Sequence, residues 1–420
     1  MNDSPLYTLR GFRSLHRVTR RLILTRFLRS IAQGAMAVDF TLYLRARDWS
    51  APEVGLLLMA GGLAGAALSL AVGVTSDRTG RKWFLLIYEA GLAAGTALLL
   101  VYPEVWILVL TAALFGFGRG ANGASGPFAP AEQAWLAQHI PGPRRGTVFS
   151  FNAALQFWGM GIGSGLAAVL PHLALQASGL GAYAPLFILN LVVAVINFIQ
   201  ILTIEETREA PHHADRLTDT EVQRERGVAQ RENRALTLLT VVNMTNSLGV
   251  GLVAPLLPYW FNVHFGVGPA AIGPVYGLTF LLTGLFSLFV GKMTETVGLT
   301  KSIILPRLLG VVMMVAIPFA PSFALAAALY VLRSVLNRSS VGARQAFSVG
   351  LVRDNRRGFA SSLNAVSWNV PAALGPALGG WMIGLGALYW PFLLASGLQL
   401  TYIVLFSSLL GRYDTVAQGR

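Results

Sequence analysis

Residues 73–82 read GVTSDRTGRK, and residues 291–301 read GKMTETVGLTK. The first stretch sets an acid between glycines and follows it with three bases, Arg78, Arg81 and Lys82. Its glycines, Gly73 and Gly80, permit a tight turn and a close helix approach. Asp77 is an acceptor only, suited to an arginine partner or a helix N-terminus. Membrane topology alone would ask for the bases and not for the acid. The second stretch begins 218 residues later and is degenerate: Glu295 replaces the acid, and Thr296 and Leu299 replace two basic positions.

The sequence around both stretches is apolar. Hydrophobic residues make up 54% of the 420 and charged residues 12%, where a soluble domain carries roughly 25% charged. Mean hydropathy is +0.58. So few charges leave a soluble globule without a surface, and a chain this apolar does not stay disordered. Cysteine is absent, which excludes disulfides, thiolate metal sites and a cysteine nucleophile. Of the six His, four stand alone and His212 and His213 are adjacent, and none shows an H-x-x-x-H metal-ligand spacing.

A helix needs about 20 apolar residues to cross the hydrocarbon core. Twelve such runs are expected, near 24–44, 54–76, 83–101, 105–138, 147–170, 183–204, 235–261, 270–292, 302–320, 322–350, 357–385 and 389–411. The fourth, tenth and eleventh are longer than a span needs; they are expected to extend past the bilayer, or to break at Pro127 and Pro130 in the fourth. Twenty-five of the 32 Arg and Lys residues fall on one side of this topology; only Arg45 and Arg47 fall on the other, and five lie within spans. The positive-inside rule then places both termini in the cytoplasm. The net charge of +13 is thus a topology signal and not a nucleic-acid patch. The Arg-rich N-terminus reads as an amphipathic helix on the membrane surface.

The expected organisation is an N-terminal six-helix half (1–204), a polar cytoplasmic linker (205–234) and a C-terminal six-helix half (235–420). The halves repeat. Arg119 matches Arg333 at an offset of 214, and Gln133, Asn152, Gln156 and Gly163 match Gln345, Asn364, Trp368 and Gly375 at 212. Two like-oriented halves around a central axis form a transporter architecture with its site between them.

The stretch Gly73, Asp77, Arg78, Gly80, Arg81, Lys82, after the second span, resembles the G-x-x-x-D-R-x-G-R-[KR] signature of the major facilitator superfamily at every defining position. The resemblance covers essentially the whole chain. It implies an all-α integral membrane protein of twelve transmembrane helices in two six-helix pseudo-repeats. It also implies that the six signature residues form a conformational latch on the cytoplasmic side.

Charges inside spans are costly and mark function by default. Arg119, in the fourth span, resembles the arginine of proton-coupled facilitators. Asp39, in the first span, is the favoured proton carrier, because an acid held from water can load on one side and release on the other. A solvated place near the outer mouth is the alternative for it. Glu89, in the third span, reaches a depth comparable to Arg119 and is a second candidate. Glu132 is expected to pair with Arg144 or Arg145. Asn122, Gln133, Gln156, Trp158, Arg333, Asn337 and Trp368 are the candidate lining of a substrate cavity. The glycines of spans five and eleven need only tight packing. A G-P-x-x-G-G element at 375–380 resembles one of drug antiporters but lies in span eleven.

These residues point to a secondary transporter, similar to the drug/proton antiporters of that superfamily. It is expected to export amphipathic, drug-like compounds by alternating access, with the proton gradient as its energy source and no cofactor. Uptake of an organic anion or a sugar-like solute is the alternative, and a non-transporting membrane sensor a remote one. Paired catalytic carboxylates, a metal cluster and a G-x-x-x-x-G-K-[ST] phosphate loop are absent from the sequence, so an enzyme or an ATP-driven pump is not expected. The chain is expected to be a monomer in the plasma (inner) membrane whose partners are a small-molecule substrate and the lipid bilayer, with no nucleic acid.

Overall fold

The computed structural model describes residues 12–117, 128–140, 145–173, 179–206, 219–297, 299–339 and 357–410. All secondary structure among them is helical. The principal helices are α1 (Arg17–Ala46), α2 (Ala51–Thr79), α3 (Lys82–Val101), α4 (Val105–Phe115), α5 (Ala129–Gln138), α6 (Arg145–Ala167) and α7 (Ala184–Leu202). They continue with α8 (Asp219–Val253), α9 (Leu257–Phe265), α10 (Pro269–Val297), α11 (Leu299–Ala316), α12 (Phe323–Ser339), α13 (Arg357–Gly384) and α14 (Trp390–Leu405). Each of the twelve apolar runs holds a helix; the fourth holds α4 and α5, the seventh α8 and α9. Lipid-facing side chains such as Leu56, Trp83, Ile87, Trp106 and Trp381 stay exposed on the bundle surface, as a hydrocarbon solvent allows.

Three details differ from the expectation. The break in the fourth run starts earlier than the prolines: α4 ends at Phe115, where Gly116 adopts a left-handed φ of 84° and returns its N–H to Ala112, and α5 starts at Ala129, beside Pro130. The seventh is broken at 254–256, where Pro255 and Pro258 withhold two backbone donors and a short 3₁₀ turn links α8 to α9. The N-terminal arginines from Arg17 onward belong to one continuous helix, α1, that runs on through the apolar run, and not to a separate helix. The linker is helical from Asp219.

The repeat is visible in the packing. Within the N-terminal half α1 packs on α6 and α3 on α7; within the C-terminal half α8 packs on α13 and α11 on α14. Across the halves α2 meets α13 and α6 meets α10. Close approach requires glycine at these seams. A Cβ on Gly163 would lie 1.8 Å from the Ile31 carbonyl oxygen, and one on Gly375 2.2 Å from the Gly251 carbonyl carbon. Packing is therefore the function of the glycines of α6 and α13, with Gly165, which faces open space, the exception.

Candidate functional site

Four arrangements carry charge or polarity into the bundle. The first lies inside the N-terminal half. Arg29 of α1 donates from Nε and Nη2 to Glu89 Oε1 at 2.9 and 2.6 Å, and from Nη1 to Glu132 Oε2. Arg26, one turn earlier, stands 3.6 Å from Glu132 and donates to Gln156 Oε1 at 2.8 Å. Asn197 of α7 donates to Glu89 at 3.4 Å, and the Tyr88 ring lies 5.3 Å from the Arg29 guanidinium. All four charged residues are at most 4% exposed. Two positive and two negative charges balance, so the buried quartet is neutral, although Glu89 Oε2 has no hydrogen-bond partner among the described residues. It ties α1, α3, α5, α6 and α7 together.

This network corrects two expectations. Glu132 pairs inward with Arg26 and Arg29; Arg144 and the side chain of Arg145, its expected partners, lie outside the described residues. Glu89 finds its base on α1. Arg26 and Arg29, counted in the sequence as topological anchors, are core residues. A signal existed: two acids at matched depth require two bases, and Arg26 and Arg29 lie on one helical face. Beside Arg29 a cavity of about 20 Å³ is lined by Gln33, Met36, Tyr88 and Asn190. It has room for a water molecule and is far below the several hundred Å³ of a ligand pocket.

The second arrangement is Asp39. Ten residues beyond Arg29 on α1, it lies about 15 Å further along the axis. It is 0% exposed, and neither carboxylate oxygen has a hydrogen-bond partner among the described residues. A solvated place at the mouth is therefore not what it occupies. Its neighbours on α1, Phe40 and Tyr43, pack against Phe117, Tyr183 and Phe187. Asp39 is thus buried within the N-terminal half, on a helix whose adjacent residues pack against aromatic rings.

The third arrangement clasps the halves at the end of the bundle where α1 stops. Arg45 donates to Asn262 Oδ1 at 3.2 Å and to the Tyr259 hydroxyl at 3.1 Å, and lies 5.2 Å from that ring. Tyr259 in turn donates to the Trp49 carbonyl at 3.3 Å. Deeper along the same seam Phe157 stacks on Phe280 with centroids 6.5 Å apart. A Cβ on Gly284 would meet the Trp158 indole at 2.6 Å.

The fourth is the motif that opened the sequence reading. Gly80 ends α2 with φ 102°, a conformation glycine alone adopts cheaply. The backbone N–H groups of Arg81 and Lys82, at the start of α3, donate to the Glu206 carboxylate, the second at 3.2 Å. Lys82 Nζ donates to the Leu202 carbonyl at 2.9 Å. A carboxylate is thus set where the helix N-terminus attracts one. Glu206, which the sequence placed in the linker, anchors the motif to the end of α7. The backbone of Gly73, Asp77 and Arg78 continues α2; the Asp77 and Arg78 side chains lie outside the described residues.

The remaining expected residues separate. Arg119 and Asn122 lie outside the described residues. Gln133 is exposed on α5, and Gln156 is buried against Arg26. Trp158 and Trp368 are half-buried on α6 and α13. Arg333 and Asn337 lie on α12, Arg333 buried and Asn337 packed where Gly310 of α11 leaves space.

Comparison with known proteins agrees with this architecture. The chain matches the Major Facilitator Superfamily over residues 22–238 and again over 239–419, and it belongs to that family. It is therefore a multi-pass membrane protein of a transporter family. An uncharacterised membrane protein of Saccharomyces cerevisiae, YJR124C, is 23% identical over 325 residues, 71% of this chain and 72% of that protein. The uncharacterised MFS-type transporter YdeE of Escherichia coli is 28% identical over 158 residues, 37% of this chain and 38% of YdeE. Among solved structures, a variant of the nucleoside transporter NupG has a TM-score of 0.69 at 13% identity, covering 93% of this chain and 99% of its own. An inward-facing, occupied bacterial homologue of the lysosomal transporter Spinster reaches 0.66 at 15%, covering 99% and 98%. A D-xylose–proton symporter reaches 0.67 at 11%, covering 96% and 98%. At these identities the structures establish the shared fold.

Proposed function

We propose that the chain is a proton-coupled secondary transporter that exports amphipathic, drug-like compounds by alternating access across the plasma membrane, with both termini cytoplasmic. The observation that carries the coupling is Asp39, a carboxyl group at 0% exposure with no hydrogen-bond partner on either oxygen among the described residues. A fixed structural acid in this half has a base, as Glu89 and Glu132 do. Asp39 lacks that fixed compensation, and the proton supplies it. Loading on one side and release on the other then tie its charge to the conformational cycle. The Arg45 clasp closes one entrance in this state, and the Asp77 motif holds the other entrance in the alternate state. Arg119 would complete the coupling pair, with no cofactor needed and a single chain sufficient.

The test is a transport panel of lipophilic cations, neutral drugs, organic acids and sugars in inside-out vesicles, with and without an imposed pH gradient. Accumulation of amphipathic compounds only under the gradient supports the reading. Transport indifferent to pH removes the proton, and accumulation of sugars alone removes the substrate class.

A further inference from the structure

The two halves treat their buried arginines differently. In the N-terminal half Arg26 and Arg29 are matched by Glu89 and Glu132. From residue 235 to 420 the sequence has three acids, Glu295, Asp354 and Asp414, all near the ends of spans or in connections. Arg307 of α11 and Arg333 of α12 are nevertheless 4% and 6% exposed. Arg307 has one hydrogen bond, to the neutral Asn246 Oδ1 of α8 at 2.6 Å, and lies 4.6 Å from the Tyr402 ring. Its Nε has no partner, nor has that of Arg333. Among the described residues no carboxylate reaches either guanidinium.

Helices α11 and α12 pack against each other, with Gly310 of α11 against the Asn337 side chain of α12, and Arg338 follows Arg333 about one and a half turns further along α12. Like charges gathered away from water repel, and an arginine held inside a membrane bundle without a counter-charge is costly. Arg338 lies 4.8 Å from the Phe280 ring, and Phe280 stacks on Phe157 of the opposite half. The cluster thus abuts the seam along which the halves move. Planar guanidinium groups bind carboxylate and phosphate oxygens through paired hydrogen bonds.

We propose that Arg307 and Arg333, framed by Asn246 and Arg338, bind one acidic oxyanion group, a carboxylate or a phosphate, at this seam. The anion supplies the negative charge that Glu89 and Glu132 supply in the other half. Where the group belongs to the transported molecule, a step that rests on the proposed transport function, the substrate is an amphipathic acid.

The full chain in lipid nanodiscs is unfolded thermally in rising sodium benzoate and, separately, sodium phosphate, at constant ionic strength made up with chloride. Wild type should show a saturable rise in melting temperature with at least one of them. Arg333→Gln and Arg307→Gln should weaken the apparent affinity by tenfold or more, and Arg333→Lys by less. Without added anion, Arg333→Gln should melt no lower than wild type, because it removes an uncompensated charge; this separates lost binding from lost folding. A response to benzoate alone places the group on an organic molecule, and a response to phosphate places it on a small inorganic anion. Failure of both probes to stabilise wild type, or equal stabilisation of all variants, overturns the site. The readout needs no gradient, so transport can fail while binding stands, and the reverse.

Discussion

Replacing Glu89 by Leu leaves Arg29 buried with one carboxylate in place of two, and the quartet with a net charge of +1. Two hydrogen bonds of 2.9 and 2.6 Å vanish from a pair whose side chains are 5% and 0% exposed. Removing one partner of such a pair costs about 3–5 kcal/mol, chiefly as the penalty of the stranded charge. The double variant Arg29→Met, Glu89→Leu restores neutrality, since Arg26 and Glu132 remain 3.6 Å apart. It should recover more than half of the loss, because apolar groups of similar volume replace a solvation problem. Reversible unfolding in mixed micelles, followed by tryptophan fluorescence, measures all three proteins on one scale. A double variant as unstable as Glu89→Leu alone would refute the charge-balance reasoning. It would show that geometry specific to Arg29, and not neutrality, holds the half together.

Gly163→Ala should prevent α1 and α6 from closing, since its Cβ meets backbone at 1.8 Å, whereas Gly165→Ala, with open space, should fold normally; fluorescence-detected size exclusion distinguishes them. Arg45→Ala removes two hydrogen bonds and a cation–π contact from the clasp. At about 1–2 kcal/mol for such partly exposed contacts, this shifts the population roughly tenfold toward opening at that end, to be read as a longer spin-label distance across the halves there. An unchanged distance distribution would deny the clasp a gating role. Because the chain has no cysteine, Ser322→Cys should react with an impermeant maleimide on intact cells and Glu205→Cys only after permeabilisation; the opposite pattern inverts the orientation.

Helix count and repeat were legible because a span needs a run of apolar residues that no soluble element requires, and because paired motifs recur at a nearly constant offset. The breaks were less so. Pro127 and Pro130 draw attention to one end of the fourth run, yet Gly116 ends its first helix by taking a left-handed φ, which many span glycines never do. Arg26 and Arg29 were hidden by the rule that identified the topology, since that rule counts charge by position along the chain and not by the face it occupies. Gln156 looked like a cavity residue because a polar group in a span suggests a ligand; its partner, Arg26, is 130 residues away and visible only in three dimensions. Asp39 was legible as an acid in a span, but its complete burial depends on helices the sequence cannot bring together.

The central claim is that Asp39 couples the proton to the cycle, and Asp39→Asn tests it most directly. Asparagine keeps the shape and cannot take up a proton. In proteoliposomes loaded with a compound that wild type accumulates, the variant should lose accumulation driven by a pH gradient and retain exchange of labelled for unlabelled substrate. Gradient-driven accumulation at the wild-type level in Asp39→Asn would contradict the account and move the coupling to another group.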